Sequence, residues 1–159
     1  MADMLVTYFS KTGHTEAMAE CIARAAGEVE GVKVEVRPVD DVTPDDLLDF
    51  DGIVMGSPVY YGTMAAPLKA LIDASVKHHG ELEGKVGGAF SSSGVIGGGN
   101  ETTLMDILAC LLVHGMVIKG EARGPHYGPT CQGEPNEQAI EHCEDYGRDI
   151  AELCVRLFG

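Results

Sequence analysis

Apolar and polar positions along the chain predict strands and helices in alternation. Runs rich in β-branched, aliphatic and aromatic residues, as in the buried strands of a parallel sheet, lie at 4–9, 52–56, 85–90 and 116–118. Residues 32–37 alternate apolar and charged side chains, which favours a strand nearer the sheet edge. Apolar residues at helical spacing occupy 17–25, about 65–77, 104–112 and 140–157.

This alternation predicts an α/β fold of one domain, residues 1–159, with a five-stranded parallel sheet in the order 2-1-3-4-5 and helices on both faces. Thr43 and Pro44 predict the start of a short helix between the second and third strands. A loop rich in Pro and Gly is expected over 120–135, and it contains Cys131.

In a sheet of this order a ligand binds beyond the carboxyl ends of the strands, where strands 1 and 3 part. The loops after strands 1, 3 and 4 meet there. The same three loops are the ones with unusual sequences, so we expect them to form the functional site.

The first of these loops is Ser10-Lys11-Thr12-Gly13-His14-Thr15, which joins a strand to a helix N-terminus. The first N–H groups of a helix lack intrahelical partners, and the hydroxyls of the loop add further donors. The loop therefore predicts a phosphate site, and the alternative is that Ser and Thr only cap the helix. It has neither the Gly-Lys-Ser/Thr pattern of triphosphate loops nor Gly-x-Gly-x-x-Gly.

The other two loops carry aromatic rings and freed backbone amides. Tyr60 and Tyr61 follow Pro58 and precede Gly62, so they lie on a surface loop, where exposed rings favour contact with a flat ligand. The loop after strand 4 combines Ser and Gly over 91–99, which suits the polar edge of a heterocycle. The alternative for this loop is a flexible surface segment.

Charge and hydropathy limit the function classes. A net charge of −14 and the absence of a Lys/Arg cluster argue against nucleic acid as a partner and are compatible with docking to basic redox proteins. No apolar run is long enough to span a bilayer, and the N-terminus lacks signal-peptide features, so we expect a cytoplasmic protein.

The cysteines predict no metal site. All five are scattered without a Cys-x-x-Cys pair, so reduced thiols are expected and a metal or iron–sulfur cluster is not.

Taken together, the loops resemble those of the flavodoxin-like FMN proteins. The first loop is similar to the flavodoxin phosphate loop, Ser/Thr-x-Thr-Gly-x-Thr. The run 57–62, the run 91–94 with 97–102, His114-Gly115-Met116-Val117-Ile118 and Pro125-His126-Tyr127-Gly128 resemble the WrbA-type NAD(P)H:quinone oxidoreductases. The resemblance implies a flavodoxin-like three-layer sandwich that binds FMN and takes electrons from NADH or NADPH.

Carried over by position, the resemblance assigns residues to parts of FMN. Those expected to bind it are Ser10, Lys11, Thr12, Gly13, His14 and Thr15 at the phosphate; Ser57, Pro58, Val59, Tyr60, Tyr61 and Gly62 along the dimethylbenzene side or edge of the ring; and Ser91, Ser92, Ser93, Gly94, Gly97 and Gly98 at the pyrimidine end. His114 is expected near the flavin as a catalytic donor of a hydrogen bond or proton. Without the resemblance, His114 is more typical of a satisfied histidine at a helix C-terminus, where the helix dipole favours it.

The expected activity is electron transfer from NAD(P)H through FMN to a quinone or similar small acceptor, with a homodimer or homotetramer possible. The alternative is a flavodoxin-type electron carrier that docks to redox proteins and has no NAD(P)H site of its own. The chain departs from the WrbA-type pattern in the short segment 120–124 and in His78-His79-Gly80-Glu81, where that family has an aromatic-bearing loop. A signalling receiver is excluded because Phe9-Ser10 and Gly56-Ser57, not acidic residues, follow the first and third strands.

Overall fold

The parallel sheet follows the predicted order. In the computed structural model, which describes residues 1–159, the strands run β2-β1-β3-β4-β5 and every pairing between them is parallel. Their bounds are β1 Ala2–Tyr8, β2 Val32–Pro38, β3 Gly52–Pro58, β4 Val86–Ser93 and β5 Val117–Ile118. The predicted order 2-1-3-4-5 is confirmed, and it places the ends of β1, β3 and β4 side by side.

A sixth strand corrects the loop expected over 120–135. Strand β6 (Thr130–Gln132) pairs in parallel with the end of β4, at Ser91–Ser93, whereas β5 pairs with the start of β4. Between them, the Ala89 N–H donates to the Tyr146 hydroxyl at 3.0 Å. Cys131 is thus a buried strand residue, where a loop position was expected.

Four helices cover the sheet: α1 His14–Ala26, α2 Ala66–Ala74, α3 Asn100–Val113 and α4 Glu137–Phe158. The second helix is shorter than the predicted 65–77, because the chain continues as a 3₁₀ turn, Ser75–His78, in which Ser75 Oγ donates to the Ile72 carbonyl at 2.6 Å. The short helix expected after Thr43 is a 3₁₀ turn over Asp46–Asp49.

Each face of the sheet has its own apolar core. Met4 and Val6 of β1 pack with α1 and α4, whereas the alternate residue Leu5 packs on the opposite face with residues of α2 and α3. Helices α1 and α4 approach closely at Gly147, where an added Cβ would lie 2.3 Å from the Ile22 carbonyl oxygen. These layers make the flavodoxin-like sandwich that the resemblance implies.

None of the helices combines the length and apolar character that a membrane crossing requires.

Candidate functional site

The loops after β1, β3 and β4 meet at the carboxyl edge of the sheet. The Thr15 and Ser92 hydroxyls lie 2.8 Å apart and join the first loop to the third. The rings of Phe9 and Tyr60 meet edge to face, with centroids 6.2 Å apart, and join the first loop to the second. The second and third loops also touch, because a Cβ added at Gly99 would lie 2.9 Å from the Cα of Gly62. The three loops form one surface.

The first loop holds a run of backbone donors with no acceptor in the chain. Hydrogen bonds engage the N–H groups of Phe9, Gly13 and Ala17. The groups between them make none, and they belong to Ser10, Lys11, Thr12, His14, Thr15 and Glu16. Helix α1 starts from Gly13, at φ 95° and without a side-chain cap, whereas Asn136 caps α4. Such a concentration of free donors at a helix N-terminus suits an anion.

Charge and space at this loop favour the same kind of ligand. Ion pairs engage every Lys and Arg of the chain except Lys11, Lys85 and Arg123. Lys11 is exposed, so its charge is available to a bound group. A Cβ added at Gly13 would meet no atom within 4 Å, and the surface above the loop is open.

One carboxylate lies beside these donors. Glu16 is the acidic residue of the first turn of α1, and the Tyr8 hydroxyl donates to its Oε1 at 3.0 Å. Burial, and then the Glu16 carboxylate, raise the pKa of Tyr8 to about 12, so the phenol stays protonated at neutral pH. Tyr8 therefore fixes the position of this negative charge.

The second loop presents an aromatic ring on a tight turn. Tyr60 and Thr63 exchange backbone hydrogen bonds of 3.0 and 3.2 Å, which places Tyr61 and Gly62 at the centre of the turn with φ of 53° and 78°. Positive φ is unusual for a non-glycine residue. The Tyr61 side chain is fully exposed, so its ring is free to lie against a ligand.

The third loop offers backbone donors. The N–H groups of residues 94–97 find no acceptor in the chain. Cβ atoms added at Gly94 and Gly97 would meet nothing within 4 Å, so these amides border open space. They suit the electronegative edge of a planar ring.

Several hydroxyls predicted to bind a ligand are used inside the protein instead. Ser57 Oγ accepts from the Ala65 N–H at 2.8 Å, and Ser93 Oγ donates to Asn100 Oδ1 at 2.6 Å. All the serines of the second and third loops are buried, namely Ser57, Ser91, Ser92 and Ser93. The backbone at these positions also pairs within the sheet, so in the third loop the amides of 94–97 are left for a ligand.

Comparison with known proteins identifies the family of the chain. Residues 4–126 match the NADPH-dependent FMN reductase family. The chain belongs to this family. Membership confirms the predicted FMN cofactor, nicotinamide donor and oxidoreductase class.

The relatives of this chain include proteins of two kinds. The chain is 39% identical over 160 residues to a flavodoxin of Aquifex aeolicus, covering 96% of this chain and 86% of the flavodoxin. It is 32% identical over 200 residues to an NAD(P)H dehydrogenase (quinone) of Caulobacter vibrioides, covering the whole of both chains.

Solved structures confirm the fold. A WrbA-like flavodoxin from Agrobacterium tumefaciens superposes with a TM-score of 0.83 at 25% identity over 99% of both chains. A flavodoxin from the domain Archaea superposes with a TM-score of 0.78 at 28% identity, covering 96% of this chain and 98% of the other.

The donors and the exposed ring of the three loops suit the phosphate and the isoalloxazine ring of FMN. The free amides of 10–16 and the charge of Lys11 match a phosphate. The Tyr61 ring and the amides of 94–97 match an aromatic ring with one polar edge. These matches rest on donors and open space within this chain, independent of the comparisons.

The structure does not bring His114 to these loops. His114 ends α3, which starts at the carboxyl edge and runs about 20 Å to the amino ends of the strands. There its Nε2 lies 2.7 Å from Ser75 Oγ, and burial, followed by the nearby His79, lowers its pKa. Since Ser75 donates to Ile72, His114 Nε2–H is the donor to Ser75. This position corrects the expectation of a residue beside the flavin in the same chain.

Three side chains that were not predicted from the sequence hold the second and third loops in place by hydrogen bonds. Asn100 is buried and binds both Ser91 and Ser93, which closes the third loop. Asp106 and Thr102, on α3, accept from and donate to the second loop. Asn100 follows Gly99 at a helix start, which is the only signal that marks it in the sequence.

The molecule also has a surface groove away from the three loops. A groove of about 490 Å³ lies between residues 121–125 and α4, and carboxylates such as Glu141 and Asp145 line it. It includes no residue of the three loops. The acidic lining makes it a poor site for a phosphate or a nicotinamide dinucleotide, so the free donors, and not the groove, define the candidate site.

Proposed function

We propose that this flavoprotein passes electrons from NADPH or NADH to a quinone-type acceptor through FMN held by the three loops, within a single FMN-binding domain, 1–159. The observation that carries the proposal is the set of backbone donors over 10–16 that, apart from Gly13, have no acceptor in the chain. Bound FMN supplies hydride acceptance and electron transfer, and the protein supplies position and electrostatics.

Each loop has a separate task in this proposal. The amides of 10–16 and Lys11 hold the phosphate and so fix the cofactor on the sheet edge. The amides of 94–97 donate to the polar edge of the ring and favour added negative charge there. The exposed side chain of Tyr61 packs against one face of the flavin ring.

The surface around the loops suits a flat, apolar acceptor. Val95 and Ile96, in the third loop, expose 65% and 86% of their surface, and Tyr61 of the second loop is also exposed. A small quinone finds an apolar rim here. Donor and acceptor then use one cofactor in alternating half-reactions, and no protein nucleophile is needed.

The test is reconstitution with FMN, followed by anaerobic addition of NADPH or NADH and then a quinone. We expect the flavin absorbance near ~450 nm to bleach with one nicotinamide and to return with the quinone. Binding of FMN without bleaching by either nicotinamide would contradict the proposal.

A second function, an electron carrier of the flavodoxin kind, is favoured by chain length. The alignment with the quinone dehydrogenase spans 200 positions and this chain has 159 residues, so at least 41 positions (200 − 159) have no counterpart here. The alignment with the Aquifex aeolicus flavodoxin spans 160 positions. The charge of −14 also suits docking to basic redox proteins.

Reduction by a flavoprotein reductase separates the two functions. A carrier accepts electrons from such a protein faster than from NADPH or NADH alone, and raised salt slows the reaction because acidic docking is screened. An enzyme with its own nicotinamide site turns over without the reductase and depends little on salt.

A further inference from the structure

The turn that carries Tyr61 has no side-chain hydrogen bond of its own that holds its conformation. Only the two Tyr60–Thr63 backbone bonds close it, and both central residues have positive φ. Turns of this type favour Asn-Gly at the centre, whereas here a tyrosine holds the first central position. The exposed ring of Tyr61 makes no hydrogen bond that would fix it.

Helix α3 supplies the missing restraint. Thr102 Oγ1 donates to the Gly62 carbonyl at 2.6 Å. One turn further along the same face, Asp106 Oδ2 accepts from the Met64 N–H at 3.2 Å and from the Thr63 hydroxyl. The bonds to the carboxylate are charge-assisted, and Asp106 forms no ion pair that would compete with them.

The same helix directly follows the third loop. Gly99 precedes α3 and lies against Gly62, so a restraint from α3 fixes the second and third loops relative to each other. The distance between the Tyr61 ring and the amides of 94–97 therefore depends on α3.

We propose that Asp106, with Thr102, is a positioning residue that holds Tyr61 in its left-handed conformation over the FMN site. Asp106 touches no reacting atom. It acts through Thr63 and Met64, which it binds, and through the ring that the turn presents. This inference rests on the proposed function of the three loops.

The test is a double-mutant cycle on FMN affinity, measured by quenching of flavin fluorescence. We expect Asp106→Ala to weaken FMN binding about tenfold and Asp106→Asn, which keeps an acceptor, to weaken it less. In a Tyr61→Ala background, Asp106→Ala should change the affinity less than about twofold, because the ring that it positions is gone.

Asp73→Ala is the matched control. Asp73 faces the same depression as Asp106 but pairs with Lys69 and does not touch the turn. An equal effect of Asp73→Ala and Asp106→Ala, or an equal loss in both tyrosine backgrounds, would overturn the assignment.

Hydrogen exchange keeps the inference testable without the cofactor. The Met64 amide should exchange at least about tenfold faster in Asp106→Ala than in the wild type, since it loses its acceptor. If the wild type fails to bind FMN, the proposed function fails. If Met64 exchange is unchanged, the positioning role fails.

Discussion

At the amino ends of the strands, several polar groups find partners within the chain. Asp51 accepts from the Asp3 N–H, Gly84 donates to the Gly115 carbonyl, and Lys85 donates to the carbonyls of Leu48 and Phe50. At the carboxyl ends of β1 and β4, the amides of 10–12, 14–16 and 94–97 find none. Donors that have no acceptor in the chain and border open space are available to a ligand, so their concentration at one end favours ligand binding there.

The two ends of the sheet can be compared by substitution, because each has a glycine with a similar positive φ. Gly13 and Gly84 have φ of 95° and 82°, and an added side chain would meet nothing at either. Gly13→Asp and Gly84→Asp should each cost about 1 kcal/mol of stability from backbone strain.

Only Gly13→Asp should affect the cofactor. Its carboxylate repels the phosphate and competes for the free amides as a helix cap, so FMN affinity should fall about 100-fold, or about 2.7 kcal/mol. Titration of both variants with FMN measures this. Equal affinities would mean that the first loop is not the phosphate site.

Lys85→Met should lower stability and leave FMN affinity almost unchanged. Burial lowers the pKa of Lys85, whose amino group serves the carbonyls of Leu48 and Phe50. Removing it leaves those carbonyls unpaired and should lower the free energy of unfolding by about 2 kcal/mol, with FMN affinity within about twofold. Urea denaturation measures the first effect, with the exposed Lys77→Met as control. A loss of FMN affinity larger than the loss of stability would break the distinction between the ends.

The smallest expected effect is the pH dependence due to His114. Burial lowers its pKa in the folded state, so the unfolded state binds more protons below about pH 6.5 and stability falls as pH falls. His114→Gln should therefore lose less stability than the wild type between pH 7.5 and 5.5 in urea titrations. Its FMN affinity should change less than about twofold, and a larger change would mean that this histidine meets the flavin of another copy.

His78 should shift stability in the other direction. Its pKa is raised, chiefly by a hydrogen bond to Glu81 and then by Asp45. Its contribution is present below pH 6.5 and is lost as pH rises through the raised value. Measuring His78→Ala beside His114→Gln separates the two histidines.

Much of the fold was predictable because the buried strands and amphipathic helices carry periodic patterns. Strand β6 was not, since three residues between Pro129 and Gly133 show no period, and their pairing depends on the free edge of β4. Helix α2 was predicted too long because nothing in the sequence shows that the Ser75 hydroxyl competes for a helix carbonyl.

The location of the site was predictable and its chemistry only in part. Strand order alone brings the three loops together. Whether Ser57 or Ser93 turns inward depends on how the following loop folds back, because their partners Ala65 and Asn100 lie beyond that loop. The position of His114 could have been predicted from the topology. A helix that starts at the carboxyl end of β4 and leads to the next parallel strand must end at the amino end of the sheet.

The most direct test is the amide spectrum of ¹⁵N-labelled protein titrated with FMN. We expect the largest chemical-shift changes at the free backbone amides within 10–16 and 94–97, and changes near zero at the amides of 82–86 and 114–117. Large shifts at the amino ends of the strands, or none at 10–16, would contradict the claim that the unpaired amides mark the cofactor site.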